Sequence, residues 1–208
     1  MELRNDFDAD KSLLYEFLLN VFIVSPNEEF TKIVKEMFDN DFVKYLKIDS
    51  IKQKYYGIRD KINQYSDVDL LNFMKKDFYE LFVSPVSLKA PLWQSFYENE
   101  EGLLYQDAHI ECKRLYHKYG YDIEKKSHPY DHLSIQLQFL IKLSEIRNDN
   151  DDAKKDYDDF IQNILSWISK LKKSIEQYNE DSLYVDFVDL LEIILNIDLQ
   201  RGAWFGKY

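Results

Sequence analysis

DFYELFVSP (Asp77–Pro85), LKAPLWQSFYENEEGLL (Leu88–Leu104) and HPYDHLSIQLQFLIKL (His128–Leu143) are the parts of this chain where backbone direction is imposed from within the sequence. Three of the four prolines (Pro85, Pro91, Pro129), two of the five glycines (Gly102, Gly120) and one of the three tryptophans (Trp93) lie between Asp77 and Leu143. Proline fixes φ and keeps the residue before it out of the helical region. Ser84-Pro85, Ala90-Pro91 and His128-Pro129 are therefore three points where a helix cannot simply run on. Outside this stretch the apolar residues return at helical spacing, so the fold class is all-α with an irregular middle.

Towards the amino terminus, Leu13, Leu14, Phe17, Leu18, Val21 and Phe22 make one apolar stripe, with Lys11, Glu16 and Asn20 off it. This helix is expected to stop at Ser25-Pro26. Ser25 then caps the next helix, with Pro26 at its first position, Glu28 completing a capping box, and Phe30, Ile33, Val34, Met37 and Phe38 as the buried face. From Asp41 to Tyr65 Gly57 and crowded lysines and tyrosines blur the period, and one or two shorter helices are expected. Asp67 is placed to cap a helix burying Leu71, Met74, Phe78, Leu81 and Phe82.

Towards the carboxyl terminus, Asp107 is expected to cap a helix bearing Ile110, Leu115 and Tyr119, ended by Gly120 in the left-handed conformation. A polar loop runs from Tyr121 to Tyr130. Asp131 then opens a helix with Leu133, Leu137, Leu140 and Ile141 on one side. NDNDD, residues 148–152, has nothing to bury and is predicted to be a hinge or a boundary between lobes. The longest helix carries Tyr157, Phe160, Ile161, Ile164, Leu165, Ile168, Leu171 and Ile175. Leu183, Phe187, Leu190, Leu191, Ile194 and Leu195 form a last helix before the tail QRGAWFGKY. No strand-like alternation and no repeat competes with this reading, so residues 1–208 are predicted to form a single all-α domain of roughly nine or ten helices.

Composition narrows the function. With 38 acidic against 27 basic residues the net charge is -11, which repels phosphate backbones and attracts cationic partners, so nucleic acid is excluded as a natural partner. The single cysteine, Cys112, rules out an internal disulfide framework and fits a reducing compartment. The amino terminus MELRNDFDADK has no basic-then-apolar signal pattern, and the apolar run Leu13–Val24 is interrupted and too short to span a bilayer, so a cytoplasmic protein without membrane insertion is expected.

Asp131-His132 is the pair that invites a catalytic reading. An aspartate at a helix start is explained by capping alone, and His132 in a first turn is disfavoured as a cation and suits a neutral hydrogen-bonding role. Neither Ser nor Cys forms a recognisable nucleophilic arrangement with it. His128 and His132 are spaced as H-x3-H, with His109 and His117 nearby, but His128 precedes proline and does not share a helix face with His132, so no metal site is expected. No glycine-rich phosphate-binding motif is present, and no cofactor is expected. Pro91, Trp93, Phe96 and Tyr97 form an aromatic, proline-stiffened turn that either fills a gap between helices or offers a binding platform. Glu98, Glu100 and Glu101 read as a solvated patch that can also steer a cationic ligand, each exposed pair contributing about 0–1 kcal/mol.

The order aromatic-LFV-x-P, L-x-AP-x-W-x-S-x-Y, EEGLL and P-x-DHLS before an apolar helix resembles the TorD/DmsD family. Ser84, Leu92, Gln136 and Gln138 depart from that family's usual residues. The resemblance implies an all-helical cytoplasmic maturation chaperone, not an enzyme. Its implied partners are the twin-arginine leader peptide and the apoprotein of a molybdenum-cofactor reductase or dehydrogenase, held before cofactor insertion and export. It further implies a leader groove formed by Phe78, Leu81, Phe82, Pro91, Trp93 and Tyr97, with Asp131 and His132 contacting the leader. Monomers and helix-swapped dimers both fit. The alternatives are a NarJ-like assembly chaperone without leader specificity and a nucleotide-dependent hydrolase using Asp131 and His132.

Overall fold

A computed structural model describes residues 3–46, 48–84, 88–99, 101–123, 129–148 and 150–205, the side chains of 3–10, 42, 45 and 201–205 excepted. Pro85, Glu100, His128 and the last residues of the tail lie outside them. Among the described residues the chain forms nine α-helices: α1 (Leu3–Val21), α2 (Glu28–Asp39), α3 (Asp49–Ile62), α4 (Asp67–Phe78), α5 (Gln94–Glu98), α6 (Asp107–Lys118), α7 (Leu133–Ile146), α8 (Asp151–Tyr178) and α9 (Leu183–Phe205). A 3-10 turn (Asp41–Tyr45) precedes α3, and a π-turn (Tyr79–Val83) extends α4. The all-α prediction therefore holds.

The long helices α8 and α9 pack along each other as the spine, with α3 and α1 against α9 and with α7 bridging α1 and α8. The reason lies in α9 itself, whose Leu183, Tyr184, Val185, Phe187, Val188, Leu190, Leu191, Ile194 and Leu195 are all buried. A helix whose apolar residues cover all but the stripe of Asp186, Asp189, Glu192 and Asn196 must be enclosed on its other sides. Helix α7 is similar, burying Leu133, Ile135, Leu137, Phe139, Leu140 and Leu143. The buried side chains make one contiguous cluster from Leu14 to Leu195.

Inside this cluster sits a latch of charges. Asp198 on α9, only 2 % exposed, accepts from Lys11 Nζ at 3.2 Å, Tyr15 Oη at 3.2 Å, Arg147 Nη1 at 3.5 Å and the Tyr157 hydroxyl. These partners come from α1, the end of α7 and α8, so one carboxylate ties four helices. Lys11 was expected on the solvent side. It is buried because Asp198, distant in sequence, provides its counter-charge. A second, more exposed lattice joins α3, α8 and α9, with Asp186 and Asp189 taking Lys54 at 2.8 Å each, Lys61 reaching Asp186 at 2.7 Å, and Lys172 pairing with Asp189.

Helix ends depart from the sequence expectations in specific ways. Asn27, not Ser25, caps α2, its side chain accepting from Phe30 N at 2.8 Å, and this leaves Glu28 and Glu29 against the positive end of the helix dipole. Ser66, not Asp67, caps α4, and Gln106 precedes α6 without a side-chain cap. Gly120 does terminate α6, at φ +64°, with Gly120 N bonding His117 O and Tyr121 N bonding Tyr116 O in a Schellman arrangement. Within NDNDD, Asn150 caps α8 through Ala153 N, and Asp151 and Asp152 form its first turn. The segment read as a tail continues α9 to Phe205. Three residues read as inward, Leu13 (43 %), Ile33 (47 %) and Ile110 (59 %), are exposed. On α6 the buried face is instead Ala108, Cys112 and Tyr116.

Candidate functional site

Pro91 and Pro129 hold their segments out of helix, and the two segments meet. Leu133 N donates to Leu92 O at 2.8 Å and Gln94 N to Asp131 O at 3.2 Å, forming an antiparallel bridge between Trp93 and His132. Helices α5 and α7 start from the two sides of this bridge. The Leu88–Leu92 segment is tied to the π-turn by Ala90 N donating to Leu81 O at 3.0 Å.

Asp131 was expected to cap the helix that follows it. Instead its carboxylate crosses the bridge to α5, where Oδ2 accepts from Ser95 N at 2.8 Å and from the Ser95 hydroxyl. The bridge points Asp131 at α5, whose own preceding residue, Trp93, offers no side-chain acceptor. The cap of α7 is His132, whose Nδ1 accepts from Ser134 N at 3.2 Å and lies 2.7 Å from Ser134 Oγ. An imidazole accepting at Nδ1 is not doubly protonated, in keeping with the neutral role expected for it.

Around the bridge lies a part-buried polar network that the sequence did not announce. Gln94 Nε2 donates to Glu98 and to Asn163, both at 2.7 Å, and Gln136 Nε2 donates to Gln94 Oε1 at 2.5 Å and to Cys112 Sγ at 3.6 Å. Burial pushes the Cys112 thiol up to about 12, so it is a neutral core group and not a nucleophile. On α6, His109 Nδ1 accepts from Tyr130 N at 3.0 Å and stands 3.8 Å from Asp131 Oδ1. Burial lowers the pKa of His109, outweighing the raising effect of Asp131.

Three buried polar atoms at this junction have no hydrogen-bond partner among the described residues: Trp93 Nε1, Asp131 Oδ1 and Gln136 Oε1. One is a donor and two are acceptors. Such atoms are uncommon in folded proteins because each costs about 1–3 kcal/mol of desolvation.

The structure brings only some of the expected leader-contacting residues together. Pro91, Trp93, Asp131 and His132 meet at the bridge, with the Trp93 and His132 rings edge to face at 5.9 Å. Tyr97 follows on α5 and stacks on Trp167 at 5.6 Å. Trp93 and Tyr97 are part-exposed, whereas Pro91, Asp131 and His132 are buried. Phe78, Leu81 and Phe82 are interior, the two phenylalanines packing with each other and with Tyr184, and Phe82 with Phe22. Among the described residues they are buried, at 7 %, 0 % and 9 % exposure, whereas Trp93 is part-exposed. Ser95 and Gln136 are the residues whose parts in the site were not foreseen. The serine of W-x-S was visible as a motif position, but its partner lies 36 residues away.

The hydrolase alternative finds little geometry here. The hydrogen bonds of Asp131 go to Ser95, and the hydroxyl beside His132 belongs to Ser134, itself 1 % exposed in the first turn of α7. Among the described residues no three His, Cys, Asp or Glu side chains are grouped to hold a metal. No helix among them is long and apolar enough to cross a membrane.

Comparison with known proteins gives three findings. The family model described as nitrate reductase delta subunit matches residues 49–191. The chaperone protein TorD of Vibrio parahaemolyticus serotype O3:K6 (strain RIMD 2210633) is 28% identical over 159 residues, covering 72% of this chain and 74% of that protein. The crystal structure of a proposed redox enzyme maturation protein from Archaeoglobus fulgidus superimposes with a TM-score of 0.55 at 22% identity, covering 89% of this chain and 93% of the other.

Proposed function

The chain belongs to the nitrate reductase delta subunit family, among the TorD/DmsD-like redox-enzyme maturation chaperones, and from that premise we propose that it binds the twin-arginine leader and the apoprotein of a molybdenum-cofactor oxidoreductase. It acts in the cytoplasm, before cofactor insertion and export. The observation that carries the leader reading is the set of unpaired polar atoms at the bridge. A peptide backbone offers both donors and acceptors, which is what Asp131 Oδ1, Gln136 Oε1 and Trp93 Nε1 require.

In this proposal the part-exposed rings of Trp93 and Tyr97 form the face the leader approaches, and Asp131 and His132, buried beneath it at 0 % and 5 % exposure, meet its backbone once those rings move aside. Pro91 keeps the segment extended. Phe78, Leu81 and Phe82 act from the interior, holding Leu88–Leu92 in place through the Leu81–Ala90 bond. The net charge of -11 favours approach of an arginine-bearing segment.

The test is a calorimetric titration of the purified protein with synthetic leaders from each twin-arginine molybdoenzyme of the source genome. Saturable binding of one leader, weakened in Trp93→Ala and His132→Ala variants that stay folded by circular dichroism, is the expected result. Binding equal to wild type in both folded variants refutes the site. The matching family is described as nitrate reductase delta subunit, and a second reading is assembly of an oxidoreductase without leader specificity. Co-purification of a mature client lacking its leader, with no leader binding in the titration, supports that reading.

A further inference from the structure

Leu13 and Ile33 sit on opposite walls of one concavity. Between α1 and α2 runs a groove of about 380 Å³, its floor and walls built from Leu13, Phe17, Val24, Ile33 and Met37. Helix α2 packs chiefly against α3 and α4. The exposed apolar residues of a folded chain are ordinarily scattered singly. Here Leu13 and Ile33, 43 % and 47 % exposed, share a cleft with part-buried Val24 and Met37.

The charges of the groove have one sign. Glu16 and Glu29 line it, no lysine or arginine does, and neither carboxylate is paired with a cation among the described residues. The flanking amides are already engaged, Asn27 capping α2 and Asn20 Nδ2 bonding Glu16 O. From Leu13 to Asn20, the last lining residue within α1, the wall extends about 10 Å at helical rise, two turns of a guest helix. Its occupant is therefore a short segment, apolar along one side and carrying basic side chains. The end of α1 also leads to the Trp93 bridge, because Phe22 packs on Phe82 and Leu81 holds Ala90.

We propose that this groove takes the apolar stretch of the client leader as a short helix, with the leader arginines against Glu16 and Glu29. The proposal rests on the leader-binding reading and relocates its apolar recognition from Phe78, Leu81 and Phe82, which are interior, to the α1–α2 cleft. Apolar burial holds the segment, and the two carboxylates select for basic residues and orient them.

The experiment is a calorimetric cycle using the cognate leader and the same peptide with both arginines replaced by glutamine. Wild type, a Leu13→Ser/Ile33→Ser variant and a Glu16→Gln/Glu29→Gln variant are each titrated with both peptides, after circular dichroism shows all three folded. The serine variant is expected to bind the leader at least tenfold more weakly. In the glutamine variant the affinity ratio between the two peptides is expected to collapse towards unity. If wild type binds the leader and both variants reproduce its affinities, the groove is not the site and leader binding stands without it. If wild type binds no leader, the leader-binding reading fails and this proposal with it. A peptide-independent dimer in sedimentation that the serine variant dissolves shows a second copy of the chain in the groove, and also overturns the proposal.

Discussion

Replacing Asp198 by alanine should loosen the whole bundle. Its carboxylate is 2 % exposed and receives Lys11 Nζ and Tyr15 Oη at 3.2 Å each, Arg147 Nη1 at 3.5 Å and the Tyr157 hydroxyl. Truncation takes this acceptor from two cations and two hydroxyls at once, and Lys11 is itself only 2 % exposed. Removing one member of a buried ion pair costs about 3–5 kcal/mol, chiefly because the opposite charge stays buried. Arg147 has a side chain 16% exposed and can turn towards water, so the lower half of that range applies, about 3–4 kcal/mol. At about 2–4 °C per kcal/mol for a chain of this length, the melting temperature should fall by roughly 6–16 °C.

The assay is urea unfolding followed by far-ultraviolet circular dichroism, for Asp198→Ala, Asp198→Asn and Lys11→Met/Asp198→Leu. Asparagine keeps an oxygen for the tyrosines and should lose less than alanine. The apolar pair removes charge on both sides and should recover much of the alanine loss, since a buried pair can often be replaced by hydrophobic side chains without net cost. A loss below about 1 kcal/mol for Asp198→Ala, with an unchanged urea slope, refutes the assignment of this carboxylate as the tie between α1, α7, α8 and α9.

Gly102 has φ +62° and a Cβ there would stand 2.9 Å from Phe96 Cε2, so Gly102→Ala should cost at least about 1–2 kcal/mol in the same unfolding assay. Gly57 is mid-helix in α3 with nothing within 4 Å of an added Cβ, so Gly57→Ala should stabilise by about 0.5–1 kcal/mol. Burial lowers the folded-state pKa of His109, so its neutral form contributes stability that is full above the unfolded value of about 6.5 and is lost as pH falls from there through the lower folded-state value. Thermal melts from about pH 7.5 to 5.5 should show a loss in wild type that is smaller in His109→Asn, where an amide oxygen can still accept from Tyr130 N.

The helices were legible because apolar periodicity is a local property, and α8 and α9 carry it without interruption. Helix starts were less legible for a specific reason: adjacent polar residues compete for one cap. Asn27 prevailed over Ser25 and Ser66 over Asp67, and sequence spacing does not say which side chain reaches an amide. Contacts between distant residues were not legible at all. Lys11 finds Asp198 across 187 positions, and Asp131 finds Ser95 across 36. Periodicity also cannot separate a core face from a cleft wall. Ile33 and Phe30 belong to one amphipathic face of α2, yet Phe30 is 4 % exposed and Ile33 is 47 %. The same limit explains Phe78, Leu81 and Phe82, whose place in the stripe was equally compatible with a groove and with the interior.

Two buried aspartates now separate scaffold from candidate site. Asp198 and Asp131 are 2 % and 0 % exposed, so desolvation weighs on both carboxylates. At Asp198 both oxygens have partners, two of the four donors being cations, and a ligand would have nothing to add. At Asp131 both bonds fall on Oδ2, and Oδ1 has none among the described residues. His109 stands close enough to complete it, but its near nitrogen already accepts from Tyr130 N and therefore has no proton to offer. An acceptor left in that state costs about 1–3 kcal/mol, and an incoming N–H recovers part of it. Of the two carboxylates, the one at the bridge, next to the part-exposed Trp93, has this recovery available, and the one in the latch does not. Asp131→Asn should keep an oxygen for Ser95 while removing the charge, so it should weaken a bound leader far more than it destabilises the fold. A variant that instead binds the leader normally but unfolds as readily as Asp198→Ala would make Asp131 a second latch and leave the bridge without a recognition role.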